Sequence, residues 1–151
     1  MKTAILLTGL ALAGLSANAF AANNCTVKLA GNDAMQYDLK TATVSASCPT
    51  ITIELTHTGK MPVTAMGHNV VISQTVLYQA IANDGLKAGA AENYVPKNDA
   101  RVIAATSLVG GGQSTKTTFP GSRLKAGGDY AFFCSFPGHA ALMRGKLVVV
   151  K

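Results

Sequence analysis

Short runs of alternating apolar and polar residues, separated by Gly, Asn, Asp and Pro, fill most of this chain. In Ile51-Thr52-Ile53-Glu54-Leu55-Thr56-His57 the residues Ile51, Ile53, Leu55 and His57 share one face and the polar residues the other, the period of a half-buried strand. The same reasoning predicts strands at Cys25–Leu29, Thr41–Val44, Val70–Ser73, Arg101–Ala104, Thr115–Phe119, Tyr130–Cys134 and Lys146–Val150. Eight short strands with turn signals between them predict an all-β, antiparallel Greek-key sandwich or barrel. One interval departs from this rhythm. Between Ser73 and Asp99, Val76, Leu77, Ala80 and Ile81 recur at helical spacing, Thr75 is placed to cap the start, and Asn83-Asp84-Gly85 supplies a stop, so a short helical insertion is expected there.

The N-terminus follows a different pattern. Lys2 precedes an apolar stretch from Ala4 to Leu15, and small residues follow at Ala17, Ala19, Ala21 and Ala22. A basic start, a short apolar middle and an A-x-A-type exit describe a secretory signal peptide, and the stretch is too short for the roughly 20 residues that span hydrocarbon. We therefore expect residues 1–21 to be a signal, with cleavage uncertain by about two residues, and residues 22–151 to form one exported domain, in the periplasm and without stable membrane association.

Composition narrows the function. The chain has 151 residues, 48% hydrophobic and 13% charged, which argues against disorder and leaves room for one domain. Its formal charge is +6, but the Lys and Arg residues are scattered and not interleaved with aromatics, which argues against a nucleic-acid partner.

The three cysteines divide two and one. Cys25 and Cys48 lie at or near the ends of adjacent predicted strands, and a bridge between them would stabilise by about 3 kcal/mol in the chain-entropy view. That leaves Cys134 free at the head of Cys134-Ser135-Phe136-Pro137-Gly138-His139-Ala140-Ala141-Leu142-Met143. A lone thiol is often an inert core residue, but here a thiolate, an imidazole and a thioether leave one strand-ending loop together. Soft sulfur, imidazole and a weak axial thioether suit copper. The second imidazole must be His57 or His68. His68 is the better candidate: in Met66-Gly67-His68-Asn69, Gly67 allows its backbone carbonyl a close axial approach opposite Met143, and Asn69 is placed to bond across to the Cys134 loop. His57, on the inward face of its strand, reads as structural.

With these residues assembled, the sequence resembles the cupredoxin family of type 1 blue copper proteins. The motifs are Gly31-Asn32-Asp33, the early cysteine pair, Met66-Gly67-His68-Asn69, Arg101-Val102-Ile103-Ala104 and Phe132-Phe133-Cys134-Ser135-Phe136-Pro137-Gly138-His139, and they run over nearly the whole mature chain. The resemblance implies an eight-stranded Greek-key barrel with a helical flap, a Cys25–Cys48 disulfide, and one copper held by His68, Cys134 and His139 with Gly67 and Met143 axial. It implies hydrogen bonds from Asn69 and the Phe136 amide toward the Cys134 sulfur, with Phe132 and Met35 excluding water. It implies that a ring edge of His139 reaches the surface in an apolar docking patch of Met35, Met61, Met66, Leu86, Phe136 and Pro137. His57 matches a histidine linked to pH effects. The members it most resembles commonly carry Trp after the His-Asn pair; Val70 stands there and the chain has no Trp, so the core must repack around a smaller side chain or take bulk from neighbours.

The implied function is single-electron transfer by a monomer that meets redox proteins such as c-type cytochromes or copper/haem reductases only briefly. The alternatives are a copper store, a zinc site and a copper enzyme. An enzyme would need a second metal centre rich in histidine, and only His57 is left over.

Overall fold

The computed structural model describes residues 24–151, so the expected signal peptide lies outside the described residues. The strands are β1 (Thr26–Asn32), β2 (Gln36–Tyr37), β3 (Thr41–Ser45), β4 (Ile51–His57), β5 (Val71–Gln74), β6 (Ala104–Ala105), β7 (Ser114–Phe119), β8 (Tyr130–Phe133) and β9 (Arg144–Val150), with helices α1 (Val63–Met66) and α2 (Tyr78–Ala88). They form two sheets, ordered β2-β1-β4-β7 and β3-β9-β8-β5-β6. Alternation along β1, β4 and β9 sends Val27, Leu29, Ile51, Ile53, Leu55, Leu147 and Val149 into one core between the sheets, with Val44, Phe119, Tyr130 and Phe132.

Strand β8 is the exception to alternation. All four of its residues are buried, because its second face is covered too. There Phe133 and Val71 pack against Ile81 and Ala82 of α2. A strand enclosed on both sides delivers the residue after it, Cys134, into a site closed to water. The Cys25–Cys48 bridge forms, with Cα atoms 5.7 Å apart, and ties the start of β1 to the turn before β4.

Several expectations need correction. Among the described residues nine strands replace eight: β2 is a two-residue strand set up by a turn in which Met35 takes a positive φ of 56°. The pairing is mixed, since β1–β4 and β3–β9 are parallel. The chain crosses from one sheet to the other between β1 and β4, and such a crossover returns a strand in the same direction. Arg101–Ala104 contributes only Ala104 to a strand. Asp99 draws Arg101 into a turn by accepting from both its amide and its guanidinium, each at 2.9 Å. The helix does not stop at Asn83-Asp84-Gly85 but runs on to Ala88 and ends at Gly89, whose φ is 75°. Gly85 serves packing instead, since a Cβ there would lie 2.1 Å from the Tyr94 carbonyl oxygen. Thr75 does not cap a helix; its hydroxyl donates to Asp129 at 2.9 Å. Val70 is fully buried in the tryptophan-free core, where Phe132 packs edge-on to Tyr37 with ring centres 5.5 Å apart.

Candidate metal centre

Two segments meet at one end of the sandwich. The first, Gly67–Val70, joins α1 to β5. His68 exchanges backbone hydrogen bonds with Val109, while the Thr106 amide donates to the Val70 carbonyl at 3.0 Å and the Thr106 hydroxyl accepts from the Val70 amide at 2.9 Å. The second is the loop from Cys134 to Met143, closed at its neck by the Cys134 amide donating to the Met143 carbonyl at 2.9 Å. Within it, the Met143 amide donates to the His139 carbonyl at 2.8 Å, which puts His139 and Met143 on one turn.

Asn69 joins the segments. Its side-chain amide donates to the Ser135 hydroxyl at 2.8 Å and to the Asn93 carbonyl at 2.8 Å, while its side-chain oxygen accepts from the Ser135 amide at 2.9 Å. His68, Cys134 and His139 are all buried, and their ligand atoms lie within 4.8 Å of one another. The Cys134 sulfur lies 3.6 Å from His139 Nδ1 and 3.8 Å from the Gly67 carbonyl oxygen. Met143 is fully buried, and its methyl group packs where a Cβ on Gly31 would be, 2.7 Å away.

The chemistry of these groups fits a cation. His68 Nε2 lies 2.9 Å from the Asn32 carbonyl oxygen and Nδ1 lies 3.0 Å from that of Gly67. Burial, the largest influence, holds the pKa of His68 below its ordinary value, so the ring is neutral and carries one N–H. Assigning that hydrogen to Nε2 satisfies Asn32 and leaves the Nδ1 lone pair facing another lone pair and the cluster. Burial, then the neighbouring His68 and His57, pushes His139 down to about 4. Burial pushes the Cys134 thiol up to about 12, against the amides of Asn69 and Phe136 that point at the sulfur. The two neutral imidazoles have lone pairs to offer a cation, and a bound cation would reverse the thiol's resistance to ionisation by taking the thiolate as ligand. A set of two imidazoles and one thiolate, with thioether and carbonyl near, suits copper better than zinc, which rarely uses Met.

The chain belongs to the plastocyanin/azurin family of copper binding proteins. The family model for "Copper binding proteins, plastocyanin/azurin family" matches residues 23–150. Azurin-1 of Alcaligenes xylosoxydans xylosoxydans is 53% identical over 126 residues, covering 83% of this chain and 98% of that one. The azurin of Bordetella pertussis is 49% identical over 146 residues, covering 96% and 97%. Among solved structures, the azurin Az-iso2 of the obligate methylotroph Methylomonas sp. strain J superposes with a TM-score of 0.80 at 39% identity, covering 84% of this chain and 98% of that chain. The fold is thus the cupredoxin fold, and the cluster of His68, Cys134 and His139 is a single type 1 copper site.

The other residues singled out in the sequence have the following places in this azurin-like frame. His57 is buried and stacks on His68 with ring centres 4.2 Å apart; its Nδ1 accepts from the Gly59 amide at 3.0 Å and its Nε2 donates to the Met66 carbonyl at 2.8 Å. Phe136 lies against His139, ring centres 4.6 Å apart, and His139 keeps 3% of its surface exposed. Met61, Leu86 and Pro137 are exposed, Met35 and Met66 half-buried. Phe132 sits in the inter-sheet core with Cys134 and Met143.

Sequence reasoning missed Gly31, Tyr37 and Asn93. A side chain on Gly31 would strike both Met143 and the His68 ring, the latter at 2.8 Å. Tyr37 is buried and donates its hydroxyl to the Asn69 carbonyl, and Asn93 braces both Asn69 and the Leu108 amide. Only the Gly31-Asn32-Asp33 motif hinted at any of them.

Proposed function

We propose that the protein carries single electrons in the periplasm, docking briefly as a monomer with redox proteins such as c-type cytochromes or copper/haem reductases. Copper bound at the cluster supplies a one-electron Cu(II)/Cu(I) couple. The observation that carries this reading is the preassembled ligand set, buried and cross-braced by Asn69, His68 and the loop neck. A stiff shell holds the two imidazoles, the sulfur and the weakly disposed Met143 and Gly67 groups in one arrangement for both oxidation states, which keeps reorganisation small. The Asn69 and Phe136 amides draw charge from the sulfur and tune the potential.

Docking falls to the apolar surface around Phe136, with Met35, Met61, Met66, Leu86 and Pro137, and with Val63 exposed beside Phe136. Flexible Met side chains adapt to more than one partner. Substrate turnover is disfavoured because the one remaining histidine, His57, has both ring nitrogens engaged.

The test is a redox titration of the purified mature chain loaded with one Cu(II). An intense thiolate-to-copper band that bleaches with one electron per chain, and returns in full on reoxidation, is expected. A colourless or tetragonal complex that yields its copper quickly to a chelator would instead make the protein a copper store.

A further inference from the structure

The outer face of the second sheet carries a group of side chains with no part in the site above. Arg144 of β9 is paired in register with Phe133 of β8, the residue that precedes Cys134. Its guanidinium lies over the ring of Tyr78, 4.8 Å from the centre, and Tyr78 in turn meets Phe133 edge-on with ring centres 5.8 Å apart. Tyr78 is half-buried, so the stack runs from the surface to the residue bonded to Cys134. Beside it, Lys40, Arg144 and Lys146 line a shallow groove with Thr75, Ala131 and a single carboxylate, Asp129, which already accepts from Thr75. Among the described residues, none of these three cations has an ion-pair partner, whereas Lys28, Lys87, Lys97 and Arg101 each have one.

From this juxtaposition we infer that the groove is a second docking surface, for an acidic redox protein, and that Tyr78 is its electron port. The inference rests on the electron-carrier reading and adds an entry away from the His139 end. Three unpaired cations raise the local potential and steer a carboxylate-rich partner, as charge complementarity requires. Tunnelling falls steeply with gaps through space. The route from Tyr78 through ring contact to Phe133, and then along one peptide unit to Cys134, holds a single non-bonded step. In the transfer, one electron leaves the partner's reduced centre and Cu(II) becomes Cu(I), with no proton moved. The site at the Phe136 end is apolar, so the two surfaces select partners of different character.

The test uses the full mature copper protein and two compact trianions standing in for a carboxylate surface. Redox-inert, paramagnetic hexacyanochromate(III) is added to the isotope-labelled reduced protein, and oxidation of the Cu(I) protein by hexacyanoferrate(III), the reverse of the proposed transfer over the same route, is timed at low ionic strength. Broadening centred on Tyr78, Arg144 and Lys146 is expected. A Lys40→Glu/Arg144→Glu/Lys146→Glu protein should exchange about tenfold more slowly. Tyr78→Leu should slow exchange while leaving the broadening map unchanged. Broadening centred on Phe136 and His139, or spread evenly over surface lysines, overturns the docking surface. A Tyr78→Leu rate equal to that of the unaltered protein overturns the port. Were the unaltered copper protein to exchange no electrons at all, the carrier reading would fail, and the broadening map alone would still decide whether the groove docks anions.

Discussion

At the ligand end, Tyr37, His68, Asn69 and Ser135 are buried and joined by hydrogen bonds that reach across three segments of chain. The flap between Gln74 and Ile103 is held differently, by a few apolar residues of α2 and by an ion cluster at its edge. There Arg101 bridges Asp99 and Asp84, the latter at 2.7 Å, with all three side chains partly exposed. The first region fixes the direction of individual atoms; the second fixes only where a cover lies. The ligand end is thus braced mainly by the sheets and the two crossing segments, while the flap adds one hydrogen bond, through the Asn93 carbonyl to Asn69, and otherwise covers Phe133.

That contrast yields separable outcomes. The largest losses of stability should come from emptying either core: Met143→Ala and Ile81→Ala each remove a fully buried side chain and should cost about 2–5 kcal/mol in denaturant unfolding of the copper-free protein. The two should part company on copper loading, with Met143→Ala altering the visible spectrum and Ile81→Ala leaving it as it was. A spectral change in Ile81→Ala would mean that the flap shapes the site after all. Next comes Gly67→Ala, whose new methyl would meet the Val63 carbonyl oxygen at 2.6 Å and the Phe136 ring at 2.9 Å. It should cost about 1–3 kcal/mol and weaken copper binding by displacing His68, measured by competition with a chelator.

The smallest effect belongs to the flap's edge. Hydrogen bonds from Arg101 hold the carboxyls of Asp99 and Asp84 below the ordinary value of 3.8. Their contribution is therefore complete above about pH 4 and disappears as pH falls through the lowered folded values. Arg101→Ala should lower the melting temperature only slightly near neutrality, since solvent screens the cluster, and by progressively less as pH falls below about 4. A deficit that persists in acid would point to lost packing rather than lost charge.

What could be read from the chain alone follows the same division. The cluster of His68, Cys134 and His139 was legible because a thiol and two imidazoles beside a thioether at those spacings have few other uses together, and because Gly67 and Asn69 flank His68 in sequence. The strands were legible where one face meets water, as in Ile51–His57. Contacts between distant segments left no local trace: nothing near Tyr37 announces its bond to Asn69, and nothing near Asn93 announces its hold on Leu108. Gly85 misled because glycine marks a helix end only when conformation is the reason for it, whereas here the reason is the approach of Tyr94. Arg101–Ala104 misled because its apolar residues fit a strand while Asp99 captures Arg101 in a turn.

The central claim is that Cys134, as a thiolate beside His68 and His139, makes the copper site what it is. The most direct measurement is the visible spectrum of the Cys134→Ser protein loaded with Cu(II), beside that of the unaltered chain. Complete loss of the intense charge-transfer band, in a protein that still folds with its Cys25–Cys48 bridge, is the expected result. A band that survives the substitution would show that the sulfur is not a ligand.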